Sequence, residues 1–395
     1  MDVDFDALLR PWYDALMEES GRPALFDAHT HFGCNDPDTF RQTPQELLAD
    51  LAAVGARGLV FPMHEPDGYT AANDAVLEAV AASGGRLHAL CRVQPRDAGA
   101  LAEARRCLEQ GAAGIKLHPR AEAFGMDEPA VRDLIALAHE RRALVLIHAG
   151  RGIEALGSNT IGYSREFPDA RLILAHCAIS DLAWLARELP AHRNVFVDTS
   201  WWHPADILAV FCLVAPGQVL WASDSPYGQP LPSAINSLRC ANEAGLTQEQ
   251  IATVFGAQME RLIGGHEPVD VGPAPGPSGP LDPLLERVVA HLTTAIGRAF
   301  AGSDPSESLG LARLSAGVGE SHPHADVFAT ILWLLDLLEE HLAPPPPGRA
   351  FPIASRFAVA ALVLARTPSA ALPPHLAGRA AGATHEHAER GRTAR

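Results

Sequence analysis

Seven polar side chains lie at or near the ends of short apolar runs in this sequence. His29 and His31 stand in ALFDAHTHF (24–32), Lys116 and His118 in GIKLHP (114–119), His148 in LVLIHAG (144–150), His176 in LILAHCA (172–178) and Asp224 in VLWASDS (219–225). One histidine at the end of such a run is ordinarily a hydrogen-bonded or rim residue. A whole set is different, because burying such groups without a ligand costs on the order of several kcal/mol each. A divalent cation supplies the compensating charge. Mixed nitrogen and oxygen donors suit Zn, Mn, Fe or Co, with zinc the default.

Lys116 is the only lysine beside thirty arginines. As solvated surface charges the two residues are nearly interchangeable, so a drift toward arginine explains the thirty and leaves the one unexplained. Arginine stays protonated and has no primary amine, so a role that needs an amine would keep lysine here.

These residues need a scaffold that brings separate run ends together. Eight apolar, β-branched runs recur between about residues 24 and 225, the remaining three being RGLVFPMH (57–64), LHALCRV (87–93) and VFVDTS (195–200). Helix signatures fill the seven intervals, among them TPQELLADLAAVGA (43–56), where Thr43 and Glu46 have capping-box spacing. Alternating strands and helices imply parallel pairing with right-handed crossovers, and eight such units fit a (β/α)8 TIM barrel. No GxGxxG follows the first run, which counts against a dinucleotide-binding fold. In a parallel barrel the C-terminal strand ends line the site, and His29 and His31, two residues apart, face the same way.

Helical segments at 233–245 and 247–263 would close a barrel domain over 1–265. A Pro/Gly linker (266–280) follows, then a small all-α appendage over 281–375 with helices at 281–300, 324–342 and about 351–366. The stretch 376–395 reads as a disordered tail. SHPHAD (321–326) and HEHAER (385–390) lack distal partners at usable spacing and read as solvated histidines. The apolar faces of the appendage would be buried against each other, the barrel or a second protomer, so a homodimer is one outcome.

The formal charge of −16, with no basic block, argues against nucleic acid or an anionic membrane as a partner. The start, MDVDFDALLRPWYDALMEES, is acidic, unlike a signal peptide, and no apolar stretch approaches the roughly 20 residues of a membrane span. None of the six cysteines forms a CxxC pair, which suits reduced thiols, and Cys34 and Cys177 read as packing. The expectation is a soluble cytoplasmic protein acting on a small molecule.

DAHTHFG, GIKLHP, LIHAG, LAHCA and ASDSPYG, in that order, resemble the amidohydrolase superfamily, specifically its amidohydrolase-2 (amidohydrolase-related) branch. The resemblance covers about residues 1–265. It implies a metal site with His29 and His31 as first ligands, His148 as a further ligand and Asp224 as both ligand and proton acceptor. The metal would lower the pKa of a bound water, and Asp224 would take its proton as hydroxide attacks an electrophilic carbon. His176 would bind a second metal or act as an acid/base group beside the water. In binuclear members a carboxylated lysine at the end of strand four bridges two metals. Lys116 is therefore such a carbamate, an unmodified amine with a binding or catalytic role, or a structural residue, and one ion or two follow accordingly.

Further substrate-binding candidates are His64, Arg92, His118 and Trp201. Arg92, with Arg120 and Arg151, would suit an anionic substrate through bidentate pairing. Trp201 in TSWWHP (199–204), with Trp202 and His203, would wall an apolar group. The leading expectation is metal-dependent hydrolysis of a small amide, lactone or ester. Its alternatives are metal-dependent non-oxidative decarboxylation of an aromatic or unsaturated carboxylic acid, and a non-catalytic barrel scaffold, which the filled ligand positions disfavour.

Overall fold

The computed structural model describes residues 4–277, 279–341 and 353–372. Eight parallel strands pair in chain order: β1 (Phe26–Phe32), β2 (Arg57–Pro62), β3 (Leu87–Arg92), β4 (Gly114–Leu117), β5 (Leu144–Ile147), β6 (Arg171–Leu174), β7 (Val195–Asp198) and β8 (Val219–Leu220). Backbone bonds from β1 to the segment after β8 close the ring. Ala28 N–H donates to Trp221 O (3.0 Å), Asp224 N–H to His29 O (2.9 Å) and His31 N–H to Ser225 O (2.8 Å). Helices occupy all seven intervals, and Thr43 and Glu46 form the expected capping box on Pro44–Ala53. The result is a (β/α)8 barrel with C-terminal helices beyond it.

Alternation sorts the strand residues into two cores. Leu59, Phe61, Leu146, Ile173 and Phe196 fill the barrel interior, while Val60, Ile115, Val145, Leu172 and Val197 lie under the helices. Gly114 opens β4 because a Cβ there would stand 2.1 Å from the Leu144 carbonyl oxygen. In β1 the alternation is interrupted. Asp27 pairs with Gly58 and Thr30 with Val60, so Ala28 and His29 together oppose Leu59 alone. Such a bulge re-aims the side chains that follow it. Phe26 and Ala28 belong to the interior core, and His29 and His31 nevertheless reach the barrel mouth.

Two strands are shorter than their apolar runs. β6 stops at Leu174, and His176, Cys177 and Ala178 then take left-handed φ values of 57°, 58° and 47°. β8 stops at Leu220, and Asp224 has φ 62°. Non-glycine residues rarely adopt this region, so both turns are held by their surroundings.

The helices Pro283–Phe300, Ser306–Ala316, Ala325–Glu340 and Ile353–Arg366 pack on one another, and the last also meets the barrel helices Pro204–Leu213 and Pro230–Ala244. The sequence reading missed Ser306–Ala316, whose Ser- and Gly-containing SESLGLARLSA has weak periodicity and is supported by packing against Pro283–Phe300. Buried Arg239 docks the last helix on the barrel. Its guanidinium donates to Thr367 Oγ1 (2.8 Å) and to the carbonyls of Thr367, Ala370 and Ala371 (2.5, 3.1 and 3.2 Å). His203 Nε2 meets Thr293 Oγ1 at 3.0 Å, and the rings of Phe5, on the N-terminal helix Phe5–Glu19, and Phe357 pack edge to face. The Pro/Gly segment has no regular structure, yet Gln258 fixes it to the barrel by accepting from Val269 N–H (3.0 Å) and donating to Val269 O (3.1 Å). The tail expected over 376–395, with HEHAER, lies outside the described residues. No helix among the described residues is long and apolar enough to cross a membrane.

Candidate metal centre at the barrel mouth

Three side-chain atoms able to bind a metal converge where β1 and the turn after β8 meet. His29 Nε2 lies 3.2 Å from His31 Nε2, and Asp224 Oδ1 lies 3.2 Å and 3.1 Å from these two nitrogens. Donors about 2.0–2.2 Å from a single ion stand roughly 2.9–3.4 Å from each other, so this triangle has the edge length of one face of a coordination shell. Among the described residues these three form a group able to hold a metal ion.

Hydrogen bonds set the tautomers of His29, His176 and His148. Asp198 Oδ2 accepts from His29 Nδ1 (2.9 Å), leaving the His29 Nε2 lone pair for the triangle. Asp198 Oδ1 accepts from Ser200 Oγ (2.5 Å), Ser200 N (3.0 Å) and His176 N (2.9 Å), so one carboxylate orients both β1 and the turn after β6. The Ser200 carbonyl accepts from His176 Nδ1 (2.7 Å). His176 Nε2 must then accept from His148 Nδ1 (2.9 Å), which leaves the buried His148 Nε2 as an acceptor with no partner.

Burial governs the charges. It pushes His29, His31, His118 and His148 well below the usual histidine value and His176 down as well, so all five imidazoles are neutral at pH 7. Neutral imidazole is the form that binds a metal. Burial also pushes the Asp224 carboxyl well above its ordinary range, against the pull of Lys116. Lys116 is fully buried. Its Nζ lies 3.4 Å from His29 Nε2 and 4.6 Å from the Phe61 ring centroid, and burial, then the Arg92 charge, push its amine down to about 7. The cluster is rich in lone pairs and short of positive charge, which is the condition a cation relieves.

The other candidates separate by position. His118 stacks on His148 with ring centroids 3.9 Å apart, and its Nδ1 accepts from Ala121 N–H (3.1 Å). Trp201 lines a cavity of about 520 Å³ that reaches Asp224 and Ser200 and is walled by Trp202, Pro226, Tyr227 and the appendage. His64 is half-buried and not on this lining. Arg92, expected to bind substrate, is engaged within the protein. It is buried, donating through Nε and Nη2 to Glu122 Oε1 (3.0 and 2.5 Å) and through Nη1 to Pro62 O (3.3 Å), because a guanidinium at that depth needs a carboxylate. Arg151 is exposed, over the Trp201 ring. Cys34 is exposed rather than packed, on the loop after β1, whereas Cys177 is buried as expected.

Sequence reasoning passed over Asp198, Ser200 and Asp27. Asp198 follows the apolar VFV as Asp224 follows VLWAS, so the same signal was present. Asp27 Oδ1 accepts from His29 N (3.2 Å) and Ser223 N (2.9 Å), tying the β1 bulge to the turn after β8, and burial pushes its carboxyl up to about 7.

Residues 26–257 match the family described as Amidohydrolase. The chain belongs to the amidohydrolase family. Among solved structures, this amidohydrolase resembles a Staphylococcus aureus protein assigned as an amidohydrolase at 14% identity over 61% of this chain and 99% of that one, with a TM-score of 0.50. The 5-carboxyvanillate decarboxylase of Sphingomonas paucimobilis matches at 16% identity over 61% and 98%, TM-score 0.49. A Burkholderia multivorans amidohydrolase with bound zinc matches at 13% identity over 61% and 99%, TM-score 0.49. At 14% identity the likeness to the Staphylococcus aureus protein shows the barrel alone. No curated protein matches the chain significantly.

Proposed function

We propose that this amidohydrolase is a metal-dependent hydrolase that uses an activated water on a small amide, ester or lactone. The observation that carries the reading is the 3.1–3.2 Å triangle of His29 Nε2, His31 Nε2 and Asp224 Oδ1 at the C-terminal end of a parallel barrel. A divalent cation held by these three, zinc by default, would supply charge at a carbonyl oxygen and lower the pKa of a water toward neutrality. Asp224 takes the proton of the attacking water on Oδ2, the oxygen turned toward His176 Nδ1 at 4.0 Å. His148 Nε2, held by the His176 and Ser200 relay, is available to a cation or to a substrate proton.

Lys116 sets the ion count. As an amine it would leave the triangle to hold one ion, and as a carbamate it would supply a carboxylate that could help hold a second. An amine pushed down to about 7 has a large neutral fraction at pH 7, the form that reacts with CO2. A ¹³C NMR spectrum after bicarbonate exchange reads which form is present.

Asp198 acts through His29, so Asp198→Asn should weaken zinc affinity by about 10- to 100-fold in competition with a chromogenic chelator. Unchanged affinity would show that His29 is oriented without it. The reaction class is tested by offering amides, esters and lactones alongside aromatic carboxylic acids to chelated and zinc-restored protein. Acid release that needs the metal, without CO2, is expected. CO2 release from the carboxylic acids by the same preparation would overturn the hydrolase reading.

A further inference from the structure

The family match ends at residue 257, yet part of the wall of the cavity at Asp224 comes from beyond it. Phe300 on the helix Pro283–Phe300, and Val359, Ala360 and Val363 on Ile353–Arg366, face the same space as Asp224, Trp201 and Trp202. The placement is held rigidly: Arg239 anchors the end of Ile353–Arg366, and His203, next to Trp202, meets Thr293 on Pro283–Phe300. Phe300 is half exposed at 50% and packs against Trp202 with ring centroids 5.9 Å apart, so an aromatic pair stands at the edge of the chamber.

Among the described residues the charged groups on the lining besides Asp224 are Asp38 and Arg356, and most of the remaining wall is apolar or aromatic. A volume of about 520 Å³ lies within the range of small-molecule sites and far exceeds what an acetyl or formyl group needs.

We infer that the C-terminal helices form the specificity wall of this site, and that the substrate carries a bulky apolar group, of aryl or long alkyl size, seated between Trp202, Phe300 and Val359. The inference rests on the hydrolase reading for the identity of the reacting end and extends it to the substrate body.

Neutral amides serve as probes, with binding measured by calorimetry and by quenching of tryptophan fluorescence, on the full chain with zinc and again with chelator. 2-Naphthamide should bind about 30-fold or more tighter than acetamide in both states. Phe300→Ala should weaken 2-naphthamide about 10-fold and leave acetamide unchanged, and Val359→Trp, which fills the chamber, should bring the two probes within about 3-fold of each other. Phe300 is half exposed, so its truncation keeps the test usable should the tryptophan variant not fold. Equal affinity for the two probes in the wild type, or an unchanged ratio in a folded variant, overturns the inference. Because the chelated arm reads the chamber alone, a failed metal centre and a failed specificity wall give different results.

Discussion

Asp224→Asn abolishes turnover, by about 10³-fold or more, while the protein folds as before. The size follows from two losses at one atom pair: a general base, typically about 10²- to 10⁴-fold, and an anionic donor at the triangle with His29 and His31. Asparagine is the substitution that isolates the chemistry. It matches the volume of aspartate and is among the residues that tolerate the left-handed backbone found here at φ 62°. The backbone bonds from Asp224 N–H to His29 O and from Gly228 N–H to Asp224 O are retained. Burial disfavours the charged form of the Asp224 carboxyl in the metal-free protein, a cost that an amide does not carry. The thermal midpoint of the metal-free variant should therefore equal or exceed that of the wild type. Steady-state kinetics with a thermal melt check both halves. Activity near the wild type in a metal-loaded Asp224→Asn protein would remove Asp224 as the proton acceptor.

Much of the scaffold was legible because it is repetitive. Eight apolar runs at regular intervals, each followed by a helix signature, leave few topologies open, and residues ending those runs were led to one mouth by barrel geometry. The local turns were not legible. Strict alternation from Phe26 and Ala28 would turn His29 and His31 away from the interior. They reach the mouth because a bulge adds a residue, and a bulge of this kind leaves no composition signal. His176 and Asp224 likewise owe their aim to left-handed backbone after strands shorter than their apolar runs. Arg92 shows the opposite limit: its type and strand-end position suggested a substrate clamp, but Glu122 arrives from a loop 30 residues away, and single-sequence spacing does not report that pairing. The appendage was readable as helices, while its place in the cavity wall depends on docking through Arg239 and His203.

The second large effect concerns the metal itself. His29 and His31 are buried and neutral, with Nε2 atoms 3.2 Å apart and Asp198 holding the first of them from behind. Replacing both by asparagine removes two strong nitrogen donors and leaves Asp224, with His148 the remaining candidate nitrogen, too few donors to retain zinc against chelation. Zinc per chain after chelation, reconstitution and desalting, measured by plasma mass spectrometry on wild type and on the His29→Asn/His31→Asn variant with matching circular dichroism, is the most direct test of the centre. The wild type should hold about one zinc per chain or more and the variant less than about 0.1. A wild type that retains no zinc, or a variant that retains as much, would contradict a metal centre built on these residues.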